Sequence, residues 1–93
     1  MDIDSNVIGI TVCWNTRDLI ERSIRSIRQF HPNLKIFIVD GSDSSDICYS
    51  YLEAISDEKT IVFHAGYNIG HGRGMHLAIS KTTYPYVLFF DSD

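Results

Sequence analysis

The sequence predicts an α/β fold, in which a parallel β-sheet is packed between helices. Two observations lead to this prediction. Four short apolar segments rich in β-branched residues are typical of strands buried in a sheet, and segments of helical character separate them along the chain. Regular alternation of strands and helices favours parallel strands with right-handed crossovers and helices on both faces of the sheet.

The predicted strands are short, and polar residues follow each of the first, second and fourth. They cover residues 7–14, 35–39, 60–64 and 86–90. The first is almost continuously apolar, as expected of a strand that is buried on both faces. The resulting order, β-α-β-α-β-α-β, is that of a Rossmann-like three-layer parallel sheet.

Three predicted helices follow the first three strands. The first begins at a cap formed by Asn15 or Thr16 and ends near residue 30, with isoleucines at helical spacing on its core side. The second begins at a cap formed by Asp43 or Ser44 and ends near residue 55. The third covers about residues 73–81 and comes after a glycine-rich loop.

Composition and charge exclude several classes of protein. The 93 residues indicate one domain, and the formal net charge of −4 disfavours a nucleic-acid partner, because no basic excess is present to neutralise phosphates. Three arginines of the first helix, Arg22, Arg25 and Arg28, are interpreted as a solvated face. The acidic start lacks a signal-peptide pattern and no apolar run could span a bilayer, so the chain is expected to be cytoplasmic.

The cysteines and histidines predict no zinc site. Cys13 and Cys48 have no CxxC spacing and are interpreted as reduced, partly buried thiols. His64, His71 and His76 are predicted on a strand end, a loop and a helix, without HExxH spacing.

Two carboxylates follow the last predicted strand. Asp91 and Asp93 are separated by one residue, and like charges at the end of a buried strand repel each other and lose solvation. A divalent cation removes that cost, and hard oxygen ligands suit Mn²⁺ or Mg²⁺. A domain rarely ends on the polar tip of a buried strand, so a longer parent protein is expected.

Polar residues of four loops should meet at one edge of the sheet, because the carboxyl ends of parallel strands share an edge. An acid such as Asp40 can accept hydrogen bonds from a base or ribose. Arg73 can pair with a phosphate. The converging segments are Asn15 with its neighbours, residues 40–42, residues 68–74 and residues 91–93.

Four motifs in this order resemble the amino-terminal half of family 2 glycosyltransferases, which have the GT-A fold. Residues 11–17 are similar to the family's threonine-tyrosine-asparagine motif, and residues 38–43 to its valine-aspartate-(aspartate or asparagine)-glycine-serine motif. Residues 68–70, followed by Gly72 and Gly74, are similar to its asparagine-x-glycine loop. Residues 87–93 resemble its apolar strand ending in a DxD motif. The likeness covers nearly the whole chain.

The resemblance implies a role for each matching position. Asp40 would contact uracil or another base. Asp91 would face the ribose or the metal, and Asp93 would bind the metal that bridges the diphosphate. The nucleotide-sugar site implied in this way consists of Trp14, Asn15, Asp40, Gly41, Asn68, Gly70, Arg73 and Asp91.

The implied activity belongs to a longer parent enzyme. That enzyme would transfer a sugar from a nucleotide-diphosphate donor, a UDP-sugar above all, to a hydroxyl of a saccharide or lipid-linked acceptor. Residues 1–93 would form the donor-binding portion, inactive alone, with no residue assignable as the catalytic base. The chain departs from the family at Gly41, where a second acid or an asparagine is common, and at Met75 and His76, where related sequences have asparagines.

Three other functions would also suit an α/β fold of this size. A Rossmann dinucleotide-binding domain needs its glycine motif after the first strand, where this chain has no glycine. A flavodoxin-like receiver module would have an acidic pair after the first strand and a late lysine, and neither is present. A non-catalytic Rossmann-like or flavodoxin-like nucleotide-binding or interaction module remains as the alternative. Nucleotide binding would separate the enzyme-derived interpretations, which include a truncated relic that serves only as an interaction module, from the others.

Overall fold

The computed structural model describes residues 2–91. Its elements alternate after a short opening helix, as the sequence predicts. They are α1 (Ile3–Asn6), β1 (Val7–Cys13), α2 (Arg17–Phe30), β2 (Lys35–Asp40), α3 (Ile47–Ile55), β3 (Thr60–His64), α4 (His71–Ser80) and β4 (Tyr86–Phe89).

The four strands form one sheet in the order β3-β2-β1-β4, and every neighbouring pair is parallel. β1 and β2 therefore occupy the centre, and their β-branched residues are buried as a two-sided strand requires. The register pairs Cys13 with Asp40 and Asp40 with His64, which brings the carboxyl ends of three strands level with one another. The predicted α/β, Rossmann-like parallel sheet is confirmed.

Helices cover both faces of the sheet. α2 and α3 pack on one face, where Ile20, Ile24 and Leu52 meet Ile36 and Ile38 of β2. α4 packs on the other face, where Ala78 joins a second buried cluster. That cluster contains Ile8, Ile10, Val12, Phe37, Val39 and Ala78. Alternate residues of the central strands thus supply the two cores, as the two-residue period of a strand requires.

Some boundaries differ from the sequence prediction. α3 begins later than expected: Asp46 rather than Asp43 or Ser44 is its cap, and the Asp46 side chain accepts a hydrogen bond of 2.8 Å from the Cys48 backbone N–H. α4 begins earlier, at His71, because Gly70 takes a φ of 83° that ends the preceding loop. Thr16 precedes α2 as expected but makes no side-chain capping bond.

The prediction that the last strand is buried was wrong. β4 is an edge strand, and Tyr86, Leu88 and Phe89 are 58%, 48% and 42% exposed. Phe90, just beyond the strand, is partly buried and packs against the core of the α2 and α3 face. The apolar side chains of β4 thus lie largely on an uncovered surface.

The interpretation of Arg28 as part of a solvated face was also wrong. Its guanidinium donates to the backbone oxygens of Leu34 and Lys59 and to the Thr60 hydroxyl. Burial lowers the pKa of Arg28, and the Asp57 carboxylate acts against that shift. Arg28 therefore joins the end of α2 to the starts of β2 and β3.

None of the helices within residues 2–91 is both long enough and apolar enough to cross a lipid bilayer.

Two glycines of α4 offer a matched test of its packing. A Cβ on Gly74 would lie 2.6 and 2.7 Å from the two methyl groups of Val12, whereas a Cβ on Gly72 would meet no atom within 4 Å. Gly72→Ala is expected to raise the free energy of unfolding by about 0.5–1 kcal/mol through helix propensity. Gly74→Ala is expected to lower it by about 1–2 kcal/mol, because overpacking outweighs the same gain.

Urea unfolding followed by circular dichroism measures both changes. Equal stabilisation by the two alanines would contradict the close contact between α4 and β1.

Candidate functional site

The carboxyl ends of the strands form the polar edge of the sheet. The chain moves outward from β1 to β2 and β3, then returns past β1 to place β4 on its other side. The order therefore reverses at β1, and open α/β sheets bind ligands in the crevice beside such a switch point.

A cleft lies at this edge between the end of β1 and the start of α4. It has a volume of about 300 Å³, and its wall combines the turn after β1 with the loop after β3. Trp14 is 48% exposed there, which leaves much of the indole available for contact. The lining residues are Val12, Cys13, Trp14, Thr16, Asn68, Gly70 and His71.

Asp40 is the strand partner of Cys13, which lines this cleft, and it is fully buried. One carboxylate oxygen, Oδ1, accepts the Ser42 backbone N–H at 3.0 Å and the Cys13 thiol at 3.6 Å. The other, Oδ2, lies 3.0 Å from Nδ1 of His64. A buried carboxylate is stabilised by such a set of partners, so Asp40 joins the ends of β1, β2 and β3.

His64 is itself held in place by α3. Its ring stacks on Tyr49 with centroids 3.8 Å apart and an interplanar angle of 22°. Its Nε2 lies 2.8 Å from Oε1 of Glu53, a distance typical of an ion pair although the direction is not that of a hydrogen bond. His64 therefore links the Asp40 carboxylate to the first two turns of α3.

Gly41 lies where two loops cross. Its N–H donates to the Cys13 carbonyl at 2.9 Å, and a Cβ at this position would overlap the backbone oxygen of Tyr67. Only glycine lets the loop after β3 pass this close. Asn15, with a φ of 52°, donates its backbone N–H to the Ser42 hydroxyl at 2.8 Å, which fixes the turn after β1 to the turn after β2.

Two thiols lie beside Asp40. Cys13 and Cys48 are both free and buried, and their sulfur atoms and an Asp40 carboxylate oxygen all lie within 4.8 Å of one another. The hydrogen bond between the thiols lowers the pKa of Cys48, with further help from Ser42, while the same bond and burial raise the pKa of Cys13. These two cysteines are 35 residues apart in the sequence, so the fold alone brings them together.

The structure brings together some of the predicted site residues and leaves others apart. Trp14, Asn68 and Gly70 share the wall of the cleft, while Asp40 and Gly41 are buried and do not line it. Three others lie outside the lining: Asn15 in the turn after β1, Arg73 exposed in the first turn of α4, and Asp91 exposed after β4. Asp93 lies outside the described residues.

Sequence reasoning missed the network around Asp40. His64 was considered only as a zinc ligand, and Cys13 and Cys48 only as separate thiols. Their proximity follows from the register, because Cys13 and His64 are the strand partners of Asp40 on either side. Aligning the predicted strand ends would have found Cys13 and His64, whereas Cys48 depends on where α3 begins.

The parallel sheet and its switch point define a doubly wound α/β domain, and the cleft lies at the edge where such domains bind ligands. The family model of Glycosyl transferase family 2 matches residues 10–93. The chain therefore belongs to glycosyl transferase family 2, and the resemblance seen in its motifs is confirmed.

Curated relatives agree with this family. The chain is 36% identical to Beta-1,4 N-acetylgalactosaminyltransferase 1 of Rattus norvegicus over 92 residues, which are 99% of this chain and 16% of the rat protein. It is 29% identical to an uncharacterized glycosyltransferase of Haemophilus influenzae over 91 residues, which are 94% of this chain and 28% of that protein. The chain thus spans less than a third of either relative.

Proposed function

We propose that this chain is the donor-binding portion of a glycosyltransferase and that it binds a nucleotide-diphosphate sugar at the cleft. The observation that carries the proposal is the cleft itself, which lies at the switch point of a family 2 domain. The transfer reaction, to a saccharide or lipid-linked acceptor hydroxyl, is proposed for a longer protein. No residue of this chain is assigned as its catalytic base.

Trp14 and Asn68 would recognise the base. The half-exposed indole of Trp14 offers an aromatic face on which any nucleobase can stack. Asn68 is exposed, lines the same cleft and carries both a donor and an acceptor. Asp40 has no exposed surface, so we assign it as a positioning residue that holds the turns after β1 and β2 beneath the base.

The start of α4 would receive the diphosphate. The helix has ten residues, and no side chain caps its N-terminus. Gly70 and His71 place that end in the cleft, and the partial positive charge of a helix N-terminus favours phosphate groups. Arg73, exposed in the same first turn, adds a guanidinium that can pair with phosphate oxygens.

Asp91 and Asp93 would hold the Mn²⁺ or Mg²⁺ ion. Asp91 fits this role: its side chain is exposed at the end of β4, and its backbone oxygen accepts a 3.3 Å hydrogen bond from Ser23, which fixes the chain there. Carboxylate oxygens suit either ion. When bound, the ion would stabilise the leaving diphosphate as a Lewis acid.

Trp14→Ala is expected to weaken UDP binding about 5- to 140-fold, because stacking on an aromatic side chain contributes roughly 1–3 kcal/mol per base. Phe30→Ala is the matched control, since Phe30 is 71% exposed at the far end of α2 and should leave affinity unchanged. Amide-resolved NMR titration with UDP and Mg²⁺ measures both affinities, and trace Mn²⁺ locates the metal by relaxation.

The proposal requires metal-dependent changes at the cleft, at Arg73 and at residues 91–93. The name of the rat relative motivates the inclusion of UDP-N-acetylgalactosamine among the donors. The absence of any response to UDP, GDP and dTDP would contradict the proposal and favour a non-catalytic interaction module.

A further inference from the structure

We propose that Cys13, Cys48 and Asp40 form a binding site for a thiophilic divalent cation of the zinc type. The three side chains come from the end of β1, the first turn of α3 and the end of β2, and all three are buried. Their ligand atoms lie within 4.8 Å of one another. This site differs from the one proposed at Asp91 and Asp93 in place and donor type, and it does not depend on sugar transfer.

The spacing suits a tetrahedral ion. With Zn–S bonds of about 2.3 Å and Zn–O bonds of about 2.1 Å, two ligand atoms of such a site are separated by roughly 3.6–3.7 Å. The Cys13 sulfur and the Asp40 Oδ1 atom are already 3.6 Å apart. The Cys48 sulfur needs to move by about 1 Å at most, which a rotation about its side-chain bonds can supply.

The Asp40 carboxylate has neighbours of the kind that commonly orient the ligands of metal sites. The Asp40 Oδ1 atom accepts the Ser42 N–H at 3.0 Å, and Oδ2 lies 3.0 Å from His64 Nδ1. The His64 ring is fixed in turn by stacking on Tyr49. Such contacts orient a ligating group before the ion arrives, and their loss commonly weakens metal affinity about 10- to 100-fold.

The donor set selects the class of ion. Two sulfur ligands favour zinc and other thiophilic ions, whereas Mg²⁺ and Mn²⁺ prefer oxygen. Binding replaces the two thiol protons, which pass to solvent, and the two thiolates then balance the charge of the divalent ion. Cys13 borders the cleft, so the ion can enter from there. Three protein ligands leave the fourth position for water.

A bound ion is expected to hold three secondary-structure elements together next to the cleft. An ion at this point would join the ends of β1 and β2 to α3, the elements that support the turns after β1 and β2. Because the ligands are assembled only in the folded chain, binding should raise the midpoint of thermal unfolding in proportion to the logarithm of ion concentration.

Titration of the reduced, chelator-treated chain with Co²⁺ tests the proposal. We expect near-ultraviolet sulfur-to-cobalt absorption and the visible bands of a tetrahedral ion to reach their maximum with one ion per chain at the sulfur site, and one equivalent of Zn²⁺ to remove both. Mg²⁺ at the same concentration should produce no displacement. Absence of the sulfur-to-cobalt absorption would overturn the proposal.

Variants assign the ligands. Cys13→Ser and Cys48→Ser should each weaken Co²⁺ binding at least 100-fold, and His64→Ala should weaken it about 10- to 100-fold. His76→Ala, which removes an exposed imidazole of α4, is the control and should leave affinity unchanged. Undiminished absorption in the double serine variant would overturn the assignment.

A measurement on the unsubstituted chain removes the dependence on variant folding. Cadmium-113 NMR reports the number of sulfur ligands from the chemical shift, and a resonance in the range of two sulfurs is expected. A resonance typical of oxygen and nitrogen ligands alone would overturn the proposal, as would release of the ion without loss of thermal stability.

Discussion

Asp40→Ala is expected to lower the free energy of unfolding by about 3–5 kcal/mol, because it removes the acceptor of several buried groups at once. The Ser42 N–H and the His64 ring both lose a partner 3.0 Å away, and the Cys13 thiol loses one at 3.6 Å. Small domains have a total stability of about 5–15 kcal/mol, so this change should shift the urea midpoint strongly.

Two controls make the Asp40 result specific. Asp43→Ala removes an exposed carboxylate from the same loop and should change stability by less than about 0.5 kcal/mol. Asp40→Asn keeps the volume and one carbonyl oxygen, so it should recover part of the loss. An alanine variant as stable as the parent chain would contradict the central position of Asp40 in this edge of the sheet.

Gly41→Ala should be the most damaging of the glycine substitutions, at about 3 kcal/mol, the upper end of the usual range for overpacking. The new Cβ would overlap the Tyr67 backbone oxygen and lie 3.1 Å from the Asn68 Cα. These backbone atoms cannot move aside by a single bond rotation, as the end of a side chain can. The loop after β3 must therefore shift, and because Asn68 lines the cleft, UDP affinity should fall together with stability.

Gly9→Ala is the matched control for Gly41→Ala. Gly9 lies in the middle of β1, where a Cβ would meet the Phe90 ring at 3.4 Å and Ile36 at 3.8 Å, which are contacts that a side chain can accommodate. Urea unfolding and UDP titration of the two variants should differ clearly. Equal behaviour would show that the loop after β3 does not depend on its close approach to Gly41.

The fold could be predicted because, at its centre, the apolar pattern of each segment agrees with the burial of that segment in the sheet and its helices. β1 and β2 are apolar throughout, and Ile20 and Ile24 recur at helical spacing, so pattern alone identifies the elements that become buried. β4 has a similar pattern but is exposed, because apolar composition says nothing about whether a strand lies at the centre or the edge of a sheet.

The start of α3 was harder to predict because several residues of the loop before it could each cap the helix. Residues 43–46 are all acceptable helix caps, and of these four it is Asp46 whose side chain accepts a hydrogen bond from a first-turn N–H.

The proximity of the two cysteines was missed for a different reason. Spacing rules recognise ligands that are close in sequence, whereas Cys13 and Cys48 are brought together by a crossover.

The position of β4 beside β1 has a consequence for the order of folding. β1 pairs with β2, and β2 with β3, through single crossovers of moderate length, whereas the pairing of Val7 with Tyr86 closes a loop of nearly the whole chain. Loops of that length close late, because their entropy is lost before their contacts form. The sheet of β1, β2 and β3, with the cleft at its edge, is therefore expected to assemble first, and the strand that precedes Asp91 to dock onto it last.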